Sequence, residues 1–312
     1  MSDFAHIPVL LEEALSLLRP ERGGVYIDGT LGGGGHARAV LDKLDMASKL
    51  VGIDRDSEAI AAASEALKPY GSRFTAIRGN FFDMKRLLAA AGIGATDGIL
   101  LDLGVSSHQL DSCNRGFSYR EDAPLDMRMD AAQALSAYDV VNGYSFEELA
   151  RIIREYGEER YAGRVAGQIV KEREARAIES TAQLAEIVRK AIGGAGRREA
   201  QHPARRTFQA IRIEVNGELD GLEGALRDAE SLLRPDGVLA VITFHSLEDR
   251  IVKRTFRSLE HPCICDRRAP VCTCGKVPTS RALTKRPITP TEAELARNAR
   301  SHSAKLRAIE KL

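Results

Sequence analysis

Val25-Tyr26-Ile27-Asp28 runs straight into Gly29-Thr30-Leu31-Gly32-Gly33-Gly34-Gly35-His36, and a helix-compatible Ala37 to Leu44 follows. A short apolar run ending in an acid, then a glycine turn, then a helix is the opening unit of a parallel α/β sheet. Glycines at such a turn let the backbone approach a ligand, and the first amides of the helix can meet a carboxylate or phosphate. The turn alone leaves the ligand open, because Gly32, Gly34 and Ala37 also satisfy the dinucleotide pattern G-x-G-x-x-A.

The same rhythm continues downstream. Leu50 to Asp54, Phe74 to Arg78 and Ile99 to Leu103 read as strands two, three and four. The alternation then stops for about a hundred residues, until Gly237 to Thr243 supplies strand five. A compact domain does not carry a structureless loop of that length, and helix signals fill the gap. Ser145 with Glu148, and Ser180 with Gln183, form capping boxes ahead of apolar faces at Leu149, Ile152, Ile153 and at Leu184, Ile187, Val188. The expected fold class is α/β, a doubly wound Rossmann-like sheet with an inserted all-helical domain. The insert is expected over residues 110–203, between sheet-domain segments 1–109 and 204–312. Arg206 to Leu233 is expected to resume the main fold as one long helix, and Ala304 to Ile309 to return as a last, antiparallel strand.

A chain of 312 residues, 44% hydrophobic and 29% charged, has the composition of a globular protein with a sizeable core. Its start carries no basic and apolar signal sequence, and no run of about 18 apolar residues occurs, so a cytoplasmic location is expected. The net charge of +1 is uneven: Lys253 to Leu312 holds 14 Lys/Arg against 5 Asp/Glu. That stretch suits a polyanion, or is simply a solvated terminus.

Candidate site residues gather at the carboxyl ends of the strands, where open α/β sheets bind ligands. Asp54 ends strand two, where an acid can accept from ribose hydroxyls or cap the next helix. Gly79-Asn80-Phe81-Phe82-Asp83 ends strand three and offers aromatic faces to a base, or to the core. Strand four delivers Asp102 and then Ser106-Ser107-His108-Gln109, a carboxylate and two hydroxyls at the crevice. Asn114 to Arg120 and Pro124 to Asp130 interleave arginine, asparagine and aromatics, which suits single-stranded nucleic acid or an internally paired lid, with Phe117 or Tyr119 as a stacking platform. Strand five ends in His245, a candidate for proton transfer or a structural hydrogen bond. Asp102, Ser106, Ser107 and His245 are the catalytic candidates. Cys263-x-Cys265 and Cys272-x-Cys274 are tighter than the C-x(2 to 4)-C of common zinc sites, so thiols without metal are expected and no metal is assigned.

In order along the chain, these motifs resemble the MraW family of ribosomal RNA methyltransferases. The resemblance rests on His6 to Leu10, Asp28 to His36, Gly52 to Asp56, Leu101 to Asp111, Arg115 to Ser118, Pro124 to Asp130, Arg206 to Asn216, Phe244 to Arg250 and Arg300 to Arg307. It implies a class I methyltransferase sheet and S-adenosylmethionine as methyl donor. It further implies transfer to the exocyclic 4-amino group of a cytidine in the decoding region of bacterial 16S ribosomal RNA, within the small subunit. Carried over by position, Gly34, Gly35, His36, Asp54, Phe81, Asp102 and Gln109 are the expected S-adenosylmethionine contacts. Thr30 stands where the common D-x-G-x-G turn has its first glycine, and Asn298-Ala299-Arg300-Ser301-His302-Ser303 departs from the family's N-P-R-A-R-S. A nicotinamide-dependent dehydrogenase and an RNA-binding protein without catalysis are rival readings, and a DNA cytosine methyltransferase is a third, whose usual proline-aromatic motif after strand four is replaced here by Gly104-Val105-Ser106-Ser107.

Overall fold

The computed structural model describes residues 8–106, 109, 114–193, 202–266, 271 and 273–312. The chain divides into two compact units, Met1–Gly104 with Leu219–Leu312, and Val105–Glu218.

The first unit is a seven-stranded sheet in the order β3-β2-β1-β4-β5-β7-β6. Its strands are β1 Val25–Asp28, β2 Lys49–Asp54, β3 Phe74–Arg78, β4 Thr96–Asp102, β5 Leu233–Thr243, β6 Ser280–Ala282 and β7 Lys305–Lys311. The first five are parallel, while β7 runs antiparallel to both β5 and β6. Central strands are buried on both faces, so they read as unbroken apolar runs. In β5, Val238, Ala240 and Ile242 join one core while Leu239 and Val241 join the other. Helices α1 Leu11–Leu18, α2 Gly35–Lys43, α3 Ser57–Leu67 and α4 Met84–Ala90 accompany the first strands, and Leu222–Leu232 and Ser246–Glu260 bracket β5. The sequence reading placed β1 to β5 and β7, with the starts of β4 and β5 falling a few residues earlier than expected. It missed β6, whose three residues are too few to show a period.

The second unit is helical among its described residues, with helices Ala137–Gly143, Phe146–Glu155, Ala162–Ala175, Thr181–Ile192 and Ala204–Asn216. Ser145 and Ser180 make the capping boxes read from the sequence, and Ser136 makes a third with Asp139. The boundaries differ from those expected. Gly217, left-handed at φ 57°, stops the helix that begins at Ala204, so the expected single long helix is two. Phe208, Ile211 and Val215 of the first lie in the core with Leu149, Ile152 and Val165, so residues up to Glu218 go with the helical unit.

Candidate active site

The glycine turn is tied to two neighbouring strands before any ligand is considered. The Gly29 amide donates to Leu100 O at 2.9 Å and the Leu31 amide to Ile53 O at 3.0 Å. Thr30, the departure from the glycine pattern, accepts the Asp102 amide on its hydroxyl at 2.6 Å, an anchor that a glycine lacks. A Cβ at Gly29 would stand 2.4 Å from Leu101 Cδ2, so a side chain there would have to displace Leu101, and Gly34 sits at φ 78° as the residue before α2, a conformation that favours glycine. A Cβ at Gly33 would meet nothing within 4 Å. Asp54 holds the turn from the β2 side, accepting the Gly32 amide at 2.8 Å on one oxygen and the Asp56 amide at 2.9 Å on the other. Helix capping falls to Asp56, which accepts the Glu58 amide. At the end of β3, Asn80 caps a short turn and the half-buried Phe81 and Phe82 rings meet edge to face at 4.6 Å.

Three carboxylates close this region: Asp28, Asp54 and Asp102. Burial pushes Asp28 up to about 7, with the Thr30 amide working against the shift and the Asp54 charge adding to it. Burial raises Asp102 well above its ordinary value, helped by the charges of Asp28 and Glu248. Asp54 is raised too, by burial, although the Asp56 and Gly32 amides oppose it. The Asp102 side chain is 21% exposed, yet its Oδ1 is sealed and has no hydrogen-bond partner. His36 Nδ1 lies 3.6 Å from Asp102 Oδ2, and His36 Nε2 lies 3.0 Å from Val9 O. A carbonyl only accepts, so Nε2 carries a proton and Nδ1 faces the Asp102 carboxyl. Among the described residues, the charges that shift Asp28 and Asp102 are those of other acids. Buried acids with an orphaned oxygen suit a positively charged ligand, which favours their ionised form. The residues therefore fit S-adenosylmethionine, with its sulfonium and ammonium.

At the end of β5, His245 makes the structural hydrogen bond that the sequence left open beside proton transfer. His245 is the residue before the helix Ser246–Glu260; its Nδ1 accepts the Glu248 amide at 3.4 Å, and Glu248 reaches back to the Phe244 and His245 amides at 2.9 and 3.2 Å. His245 Nε2 lies 3.1 Å from Glu248 Oε1, in ion-pair reach but too poorly aligned for a hydrogen bond. With Nδ1 accepting an amide, the neutral ring carries its proton on Nε2 and has no spare lone pair for base catalysis. Asp249 pairs with Arg307 at 2.7 Å and Lys305 at 3.3 Å on β7, so this motif and the C-terminal one form a single structural clasp.

Of the other expected site residues, Gly34, Gly35, His36, Asp54, Phe81 and Asp102 share the sheet unit, whereas Ser106 and Gln109 belong to the helical unit. There the Ser106 amide donates to Gln109 Oε1 at 3.1 Å and the Gln109 amide to Ser106 Oγ at 3.2 Å. Ser107 lies outside the described residues. Phe117, expected as a stacking platform, is buried in the helical core, and Tyr119 already stacks on His202 at 4.7 Å. The lid charges pair internally, Arg128 Nε and Nη2 donating to Asp126 at 2.9 and 2.7 Å. Sequence reasoning missed Asn216, which accepts the Met129 amide and donates to Met127 O, both at 2.8 Å. Its place at the end of Arg206 to Asn216, opposite Pro124 to Asp130, was the available signal.

A sheet in the order 3-2-1-4-5-7-6, with one antiparallel strand beside β5 and an acidic crevice over a glycine turn, is that of a class I S-adenosylmethionine-dependent methyltransferase. The dinucleotide fold instead runs 3-2-1-4-5-6. The chain belongs to the MraW methylase family, which it matches over residues 3–312. It is 53% identical over 309 residues to the ribosomal RNA small subunit methyltransferase H of Symbiobacterium thermophilum, across 99% of this chain and 97% of that one. Its counterpart of the same name from Carboxydothermus hydrogenoformans is 51% identical over 310 residues, covering 99% of each chain. For that of Citrifermentans bemidjiense the identity is 53% over 312 residues, covering 100% of both.

Proposed function

We propose that this protein transfers a methyl group from S-adenosylmethionine to the exocyclic 4-amino group of a cytidine in the decoding region of 16S ribosomal RNA, acting in the cytoplasm on the small subunit. The observation that carries the reading is the orphaned Asp102 Oδ1 in a buried, cation-seeking crevice, in a chain half identical to enzymes named for ribosomal RNA methylation.

The donor supplies an electrophilic methyl on a sulfonium; everything else falls to the protein. Asp54 and the glycine turn orient the donor's ribose. The first-turn amides of α2, Gly35 and His36 among them, suit its carboxylate. Phe81 offers an apolar face to its adenine. A cytosine amine is a poor nucleophile because its lone pair is delocalised into the ring, so acceptors must draw on its protons. Asp102 is the primary acceptor, with Ser106 and Ser107, which follow it in the chain, as partners. We assign Gln109 to holding Ser106, and His245 to positioning the turn after β5. The helical unit and the basic C-terminal stretch provide phosphate contacts, and these position RNA without reading its bases.

The test is a methylation assay on small subunits, protein-free 16S RNA and an isolated hairpin, with nucleoside mass spectrometry of the product. N4-methylcytidine on the subunit, formed far faster than on the hairpin, is expected. Product on another base, or equal rates on all three substrates, overturns the assignment.

A further inference from the structure

The cysteines near the C-terminus were expected to be metal-free on their spacing, but the fold brings three of the sulfurs together. Cys263, Cys265 and Cys274 place their Sγ atoms within 4.8 Å of one another, and Cys263 Sγ to Cys274 Sγ is 3.8 Å. A disulfide needs about 2.05 Å. Tetrahedral zinc with Zn–S near 2.3 Å sets its sulfurs about 3.8 Å apart, which is the separation seen. We propose that Cys263, Cys265 and Cys274 are thiolate ligands of a structural zinc site.

Two further observations support the site. The Thr273 amide donates to Cys265 Sγ at 3.4 Å, with the Thr273 hydroxyl 3.7 Å away. An amide directed at sulfur stabilises the thiolate, the form that binds metal, and outer hydrogen bonds of this kind orient metal ligands. The second observation concerns the connection itself. Between Glu260 and Ser280 the described residues contain neither helix nor strand, and Ile264, Val271 and Val277 are about 70% exposed. A segment with no apolar core of its own is held by a cross-link, and three gathered thiols supply one. Binding converts thiols to thiolates and releases their protons to solvent, with no change of oxidation state.

Full-length protein is purified under reducing conditions from zinc-supplemented cells, and its metal is counted by elemental analysis. About one zinc per chain is expected, and the Cys263→Ser, Cys274→Ser double variant should lose about tenfold or more of it. Circular dichroism checks that the variant is folded; if it is not, cobalt exchange into the wild type decides, through tetrahedral ligand-field and sulfur-to-cobalt charge-transfer bands. In the native protein, chelation should expose residues 261–279 to protease. Cys272 lies outside the described residues, and Cys272→Ser reports whether a fourth thiolate joins: loss of metal means four, retention means three, and either keeps the site. Zinc-free reduced wild type with no tetrahedral cobalt spectrum, or a Cys263–Cys274 disulfide in freshly isolated protein, overturns the proposal.

Discussion

Binding of S-adenosylmethionine should release protons from the buried acids, and its affinity should therefore rise with pH. In the ligand-free protein Asp28 titrates at about 7. A cationic ligand in the crevice favours the ionised carboxylate, so at lower pH binding must first remove a proton. About ten in eleven molecules hold that proton at about pH 6, and about one in eleven at about pH 8, which makes the affinity gain about tenfold, or ~1.4 kcal/mol. Asp102 is displaced in the same direction, chiefly by burial, so its proton adds to the same trend. Titration calorimetry in two buffers of different ionisation heat reads both affinity and proton count, and near neutral pH about half a proton should leave Asp28 alone. Asp28→Asn should flatten the rise, and S-adenosylhomocysteine, which lacks the sulfonium charge, should show a shallower one. The stability of the ligand-free protein carries the opposite trend. Folded Asp28 holds its proton more tightly than the unfolded chain does, so its contribution is fully present below the ordinary carboxylate range and is lost as pH rises through about 7. An affinity that is flat over this window, or a rise undiminished in the Asp28→Asn, Asp102→Asn double variant, refutes the reasoning.

Asp54→Ala should weaken S-adenosylmethionine binding by about 1.5 to 3 kcal/mol, because a ribose acceptor and the anchor of the Gly32 amide are removed together, and NAD should not compete; tight NAD binding in the same calorimeter contradicts this. His245→Ala should cost about 1 kcal/mol of stability through the missing cap, and His245→Asn should restore both stability and turnover; a hundredfold slower His245→Asn that is fully stable would return the residue to proton transfer. Asn216→Ala strands a buried amide and a buried carbonyl, at a cost of about 2 to 4 kcal/mol in denaturant unfolding, and a loss under about 0.5 kcal/mol counts against the clasp between the two segments. Neutralising Arg197, Arg198, Arg205 and Arg206 should lower the salt dependence of small-subunit binding by about 0.7 to 0.9 for each phosphate that is no longer neutralised, with donor affinity unchanged. An unaltered slope moves the RNA surface elsewhere.

The sheet was legible in the sequence because its signals are local. Apolar runs ending in Asp28, Asp54 and Asp102, with turns between them, declare parallel strands buried on both faces, and capping boxes at Ser145 and Ser180 declare helices within four residues. That Asp28, Asp54 and Asp102 would come together was legible for the same reason, since carboxyl strand ends share one edge whatever the rest of the chain does. Roles that depend on partners distant in sequence were not. His245 looked like a proton carrier until its ring was seen to cap the next helix. Phe117 looked like a stacking platform until it was seen in the helical core, and Ala204–Asn216 looked like a return to the sheet domain until its apolar face was seen to pack there too. The thiols of Cys263 and Cys274, eleven residues apart, meet only because the loop folds back on itself. Periodicity and capping are short-range and survive in the bare sequence, whereas which acid is desolvated, which ring is already occupied and which sulfurs converge are set by packing across long separations, and only the tertiary structure decides them.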